Sequence, residues 1–180
     1  MADLLPWRFV VMVAQIPEMG LHQDFQADAS QRTALAEAGG LVGVSDARAS
    51  LELTHAGNGR VHAVGRVTAN VEQTCVVTLE LVHNVIDEPI DVMFAPAEQI
   101  PKKTPVPEEG VEIPDPPEPI VGGAIDLGKL ASDFLFLGID PYPRKPGVVF
   151  NVATEESAPD EHPFAALKAL KTRSEPPKTS

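Results

Sequence analysis

Residues 49–72 read ASLELTHAGNGRVHAVGRVTANVE, and their period is two. Ala49, Leu51 and Leu53 share one side, while Ser50, Glu52 and Thr54 share the other. Asn58-Gly59 follows, a strong hairpin signal because both residues tolerate positive φ. On the return strand Val61, Ala63, Gly65, Val67, Ala69 and Val71 point inward, with His62, Arg66, Thr68, Asn70 and Glu72 outward. Alternation over this length predicts an antiparallel sheet with one buried and one polar face. Cys75, Val77, Leu79 and Leu81 continue the odd-numbered inward phase, but Ile90, Val92 and Phe94 carry an even one. A turn or bulge is therefore expected between His83 and Pro89, since a slip of one residue exchanges the faces.

Upstream, Trp7–Ile16 is rich in Val, Phe and Met and closed by Pro17, which predicts a buried strand. Residues 17–28 read as polar and irregular. Asp28 with Gln31 forms a capping box opening a helix over Ala29–Ala38, with Leu35 and Ala38 inward and Gly39-Gly40 as its stop. Downstream, residues 96–123 hold KKTPVPEEGVEIPDPPEP, dense in proline and acid, and read as an exposed acidic loop. Asp126 can cap a second helix with an inward stripe of Leu127, Leu130, Phe134 and Leu137, ending at Gly138. Pro141, Pro143 and Pro146 hold the chain extended. A last strand is expected at Val148–Val152, then a short helix with Pro163 first and Phe164, Leu167 and Leu170 on one face. Residues 172–180 read as a disordered tail, after a single domain over residues 1–171.

The chain has 180 residues, and its 26 acidic against 14 basic residues give a formal charge of -12. That balance opposes a protein gripping nucleic acid mainly by neutralising phosphates, and suits basic protein partners. A hydrophobic content of 43% is enough for a core, while 18 prolines point to long loops. The lone Cys75 excludes an internal disulfide framework and a cysteine-based zinc site, and a strand-facing thiol reads as buried and inert. A reducing cytoplasm follows. No segment reads as a membrane span, and Phe9–Ile16 lacks the flanks of a signal peptide.

His22, His55, His62, His83 and His162 form no metal-ligand spacing, and no P-loop, GxGxxG or GxSxG is present. Neither a metal nor a cofactor is expected. Glu108, Glu109, Glu112, Asp115 and Glu118 match no calcium loop, and Gly122-Gly123 reads as a joint. Arg48, Arg60, His62 and Arg66 make a candidate RNA or partner contact, although the aromatics that stack bases are missing. The small inward residues Ala63, Gly65 and Ala69 raise an alternative, a module holding an apolar small molecule inside a curved sheet. A hydrolase built on a carboxylate and a histidine is the third reading, without support from spacing.

Three blocks in order carry a resemblance: VGRVTANVEQTCVVTLELV, then an acidic break followed by IDLGKLASDFLFLGIDPYPRKPG, then the terminal HPFAALKALK. Together they resemble the YceD family, the large ribosomal RNA subunit accumulation proteins, and most of all its alphaproteobacterial members. The resemblance implies a bacterial cytoplasmic protein without catalytic activity, needed for 23S ribosomal RNA accumulation through synthesis, processing or stability. Its implied partners are large-subunit ribosomal RNA or a basic ribosomal protein, with neither membrane nor DNA. The family's cysteine falls on Cys75, followed by Thr78 and Leu79; its Ile-Asp-Leu on Ile125, Asp126 and Leu127; its helix acid on Asp133; its closing prolines on Pro141 and Pro143. Many relatives carry basic or second cysteine positions where Val76, Val77 and Thr78 stand here.

The expected fold is α+β: a curved antiparallel sheet, or small barrel-like sheet, of five or six strands with two or three short helices.

Overall fold

The hairpin of residues 49–72 forms as its alternation requires. In a computed structural model that describes residues 6–100 and 116–149, strand β3 is Gly43–His55 and strand β4 is Val61–Thr74. They pair antiparallel, Leu51 opposite Gly65 and Leu53 opposite Ala63, and Asn58 takes the positive φ its turn needs. Two units divide the chain, Met1–Val148 and Val149–Ser180, and every element here lies in the first. Residues 101–115, the expected helix from Pro163 and the expected tail lie outside the described residues, as does the expected last strand from residue 150 onward. Val148 and Val149 are not in a strand.

The remaining elements are β1 (Val10–Met12), β2 (Leu21–Gln26), α1 (Ala29–Gly39), β5 (Leu81–Pro96), β6 (Glu118–Ile120), β7 (Ala124–Asp126) and α2 (Leu127–Leu137). A five-stranded sheet has the order β2-β3-β4-β5-β6, and β1 pairs with β7 in a second, two-stranded sheet. The fold is α+β as expected. The main sheet is mixed, because β6 runs parallel to β5, and it is open, because β2 and β6 end it without meeting.

Several local expectations shift. The Trp7–Ile16 run gives a strand of only three residues, since its partner β7 has no more to offer; Val13–Gln15 turns into a 3-10 helix. Residues 21–26, expected to be irregular, form β2 along β3, with Phe25 buried. Asp28 makes the capping box with Gln31, but Ala36 is buried beside Leu35 while Ala38 is exposed. The phase change placed at 83–89 occurs earlier. Strand β4 ends at Thr74, Cys75–Glu80 is a turn, and β5 pairs with β4 without a break from Leu81 to Phe94. Val82, Ile86, Ile90 and Phe94 are buried from the start, whereas Leu79 sits at φ 61 and is 78% exposed. Part of the acidic loop is ordered as β6, held on β5 opposite Phe94–Pro96.

The two helices and the β1–β7 pair cover one face of the sheet. Helix α1 lies on β3; α2 lies on β4, β5 and β1. Leu35, Leu51, Leu53, Ile90, Ile125, Leu127 and Leu135 are fully buried between them, each stabilising by about 1.5–3 kcal/mol. Trp7 meets Phe25 edge-on at 5.1 Å, and Phe9 stacks on Phe25 at 4.4 Å. Helix α2 buries Leu127 and Leu130 as expected, but its second half departs: Leu135 is buried, Phe134 half-buried and Leu137 78% exposed. No helix among the described residues is long and apolar enough to cross a membrane.

Candidate functional site

Asp126 ties the segment before β1 to the start of α2. Its carboxylate accepts the backbone N–H groups of Gly128 at 3.1 Å and Lys129 at 3.2 Å, capping α2, and that of Phe9 at 3.0 Å. The Leu127 N–H returns to the Phe9 carbonyl at 2.8 Å. Ile125 and Leu127 flank it with fully buried side chains. Ile125, Asp126 and Leu127 therefore form one joint between strand, helix and N-terminal segment. Asp133, one turn along α2, is exposed and pairs with Lys129, whose pKa it raises.

Cys75 opens the β4–β5 turn and is fully buried. Its Sγ accepts the backbone N–H of Lys145 at 3.4 Å and of Thr78 at 3.5 Å. The Thr78 hydroxyl is the strongest influence on the thiol; with the N–H groups of Lys145, Thr78 and Val77 it lowers the pKa to about 6. The Val76 N–H bonds the carbonyl of buried Pro143, and Lys145 pairs with Glu80 at 3.0 Å, holding that carboxyl below its ordinary range. Gln73 adds a bond to the Asp140 carbonyl at 2.8 Å and receives one from Asn84 at 2.7 Å. Cys75, Thr78 and Pro143 thus close the distal end of the sheet, while Leu79 and Pro141 stand in solvent.

A thiolate favoured in the folded chain stabilises the fold above the unfolded thiol's pKa, and the contribution is lost as pH falls through about 6. Since Cys75 is the lone cysteine, thiolate ultraviolet absorbance reports it cleanly. We expect a native-state titration centred near 6 and a stability advantage over Cys75→Ala that grows from there toward the pKa of a free thiol. A native midpoint in the ordinary thiol range would contradict the arrangement.

The uncovered face of the sheet carries the basic side chains read as contacts, each beside an acceptor. Arg48 pairs with Asp46 at 3.0 Å, His62 with Asp91 at 2.7 Å and Arg66 with Asp87 at 3.3 Å. Arg60 bonds Gln99 at 2.8 Å at the hairpin end. His22 sits between Asp24 at 3.1 Å and Glu52 at 3.3 Å, and the hydrogen bond it donates to Asp24 raises its pKa. His83 lies 3.5 Å from Glu72, and His55 bonds the Ile16 carbonyl. His162 lies outside the described residues. Among those residues no three His, Cys, Asp or Glu side chains gather as a metal site.

One feature escaped the sequence. A groove of about 990 Å³ lies where the end of β5 meets α2 and β6, lined by Val92, Phe94, Phe134 and Leu137 with Asp91 and Glu118. Ala63, Gly65 and Ala69 do not line it. Ala63 and Ala69 are in the core, and a Cβ on Gly65 would stand 2.0 Å from the Ser50 carbonyl oxygen. Glycine there serves close approach of β4 to β3. Pro89 marks the edge of β5, since proline inside a long strand is tolerated there, but no local signal points to the groove itself.

No curated protein and no solved structure matches the chain. The sequence profile described as large ribosomal RNA subunit accumulation protein YceD matches residues 63–171, which takes in β4, the Cys75 turn, β5 and all of α2. With more than half of its length inside that match, the chain belongs to the YceD family, the large ribosomal RNA subunit accumulation proteins.

Proposed function

We infer that this protein supports accumulation of 23S ribosomal RNA as a non-catalytic factor of a bacterial cytoplasm, acting by binding during large-subunit assembly. Membership of the YceD family carries the reading. The chain's own chemistry adds support. Arg48, Arg66 and His62 on the open face already sit beside carboxylates, so adding a phosphate there would set it beside Asp46, Asp87 and Asp91. The net charge of -12 works in the same direction, and both favour a basic ribosomal protein over the RNA backbone as the direct contact.

Capture of the tagged full chain from native lysate, with RNA and protein both identified, tests this. The expected result is a large-subunit protein retained after ribonuclease treatment. A steep loss of large-subunit RNA with salt would instead assign the contact to phosphates. Recovery of neither large-subunit RNA nor its proteins would contradict the reading.

A further inference from the structure

Among the described residues, the side of β5 away from β4 carries only β6, at Phe94–Pro96. The phase of the ladder follows from three backbone hydrogen bonds: Ala27 N–H to the Ala47 carbonyl, Ala56 N–H to Arg60 and Cys75 N–H to Glu80. With the unbroken β4–β5 register, they direct the backbone groups of even-numbered β5 residues toward β4 and those of odd-numbered ones away. Pro89, which has no N–H, falls in the outward phase, where an edge tolerates it. From Leu81 to Asp91, the outward N–H and C=O groups have no backbone partner among the described residues; the Met93 carbonyl faces β6.

This edge ends in the groove, where Met93 and Phe94 on one side and Phe134 and Leu137 on the other offer apolar contact. The groove's charge is mostly negative: Asp91, Glu118, Asp126 and Asp133 against Arg8 and Lys129. Asp87 and Glu88 continue that sign along β5, and Val85 is 75% exposed between the acids and the Cys75 turn. Acid and proline on an edge oppose pairing with a second copy of this acidic chain. The same charges attract a cationic strand. That the edge accepts an added strand is visible in β6, which joins it in parallel.

We propose that β5 from Leu81 to Asp91 is a strand-addition site for an extended, basic segment of a partner protein. The segment's backbone pairs with the open edge, and its cations meet Glu118 and the second carboxylate oxygens of Asp87 and Asp91, whose first oxygens hold Arg66 and His62. This deepens the reading above by naming how a basic partner is held. In such a mode the main-chain bonds supply affinity and alternate side chains supply selectivity. Complementary charge raises the association rate and rejects acidic competitors.

The probe is a short capped peptide of alternating lysine and valine, added to the isotope-labelled full chain. We expect amide shifts and exchange protection at Val85, Asp87 and Asp91. Methylating alternate peptide amides should abolish binding, and the double substitution Asp91→Lys with Glu118→Lys should weaken it about tenfold or more. Both positions are exposed, so the variant's amide spectrum will show the native fold retained. Equal binding by the methylated peptide, or by one of alternating glutamate and valine, would overturn the proposal. So would an RNA oligonucleotide that shifts these amides when the peptide shifts none. A failed peptide leaves the ribosomal role standing, because that role is read from cellular RNA whatever surface mediates it.

Discussion

Replacing Gly128 by alanine is expected to destabilise the protein by about 2–3 kcal/mol, and more if the N-terminal segment detaches. A Cβ at this position would stand 2.5 Å from the Phe9 nitrogen, 2.7 Å from the Trp7 carbonyl oxygen and 2.8 Å from the Arg8 carbonyl carbon. All three are backbone atoms, so no side chain can swing aside to make room. Residues 7–9 would have to retreat, straining two links at once: Phe9 N–H to Asp126, and Leu127 N–H to the Phe9 carbonyl. Trp7, fully buried against Phe25, would move with them. Denaturant midpoints of the wild type and the variant measure the effect. Lys129→Ala, on the exposed side of the same turn, is the matched control. A Gly128→Ala cost no larger than the control's would contradict the close approach.

Leu135 and Leu137 are two residues apart on one helix, and their substitutions should differ sharply. Leu135→Ala removes a side chain with no exposed surface at the contact of α2 with the sheet, and is expected to cost about 2–5 kcal/mol through lost burial and the cavity left behind. Leu137 is 78% exposed, so Leu137→Ala should stay within about 0.5 kcal/mol. Thermal unfolding of both variants decides which stripe faces the sheet. Equal costs, or a larger cost at Leu137, would restore the stripe that the sequence favours.

Leu127 and Leu130 face inward as the stripe predicts, and its second half departs for a physical reason. An amphipathic pattern fixes the axis of a helix face only coarsely, and in α2 nearly every position is apolar or small: Leu127, Gly128, Leu130, Ala131, Phe134, Leu135, Phe136 and Leu137. Gly128 packs directly on the backbone of residues 7–9, a tertiary contact with no local signature. By contrast, Asp28 with Gln31, Asp126 and Asn58-Gly59 were legible because capping and tight turns are settled within a few residues.

Strand β5 shows the same limit. Its inward residues Val82, Ile86, Ile90 and Phe94 recur every fourth position, so hydrophobic alternation is diluted and the break was placed inside the strand. The turn that resets the phase, Cys75–Glu80, contains Val76, Val77 and Leu79, apolar residues that read as strand. Its shape comes from bonds to the distant segment Pro143–Lys145. Of the candidate site, the Asp126 joint was visible as a cap. The groove was not, because β6, β5 and α2 meet there from three separate parts of the chain.

The ratio of large- to small-subunit ribosomal RNA in cells from which the gene has been removed is the decisive quantity. It should fall, and re-expression of the full chain should return it to the parental value. A ratio that stays at the parental value after removal would contradict a role in large-subunit RNA accumulation.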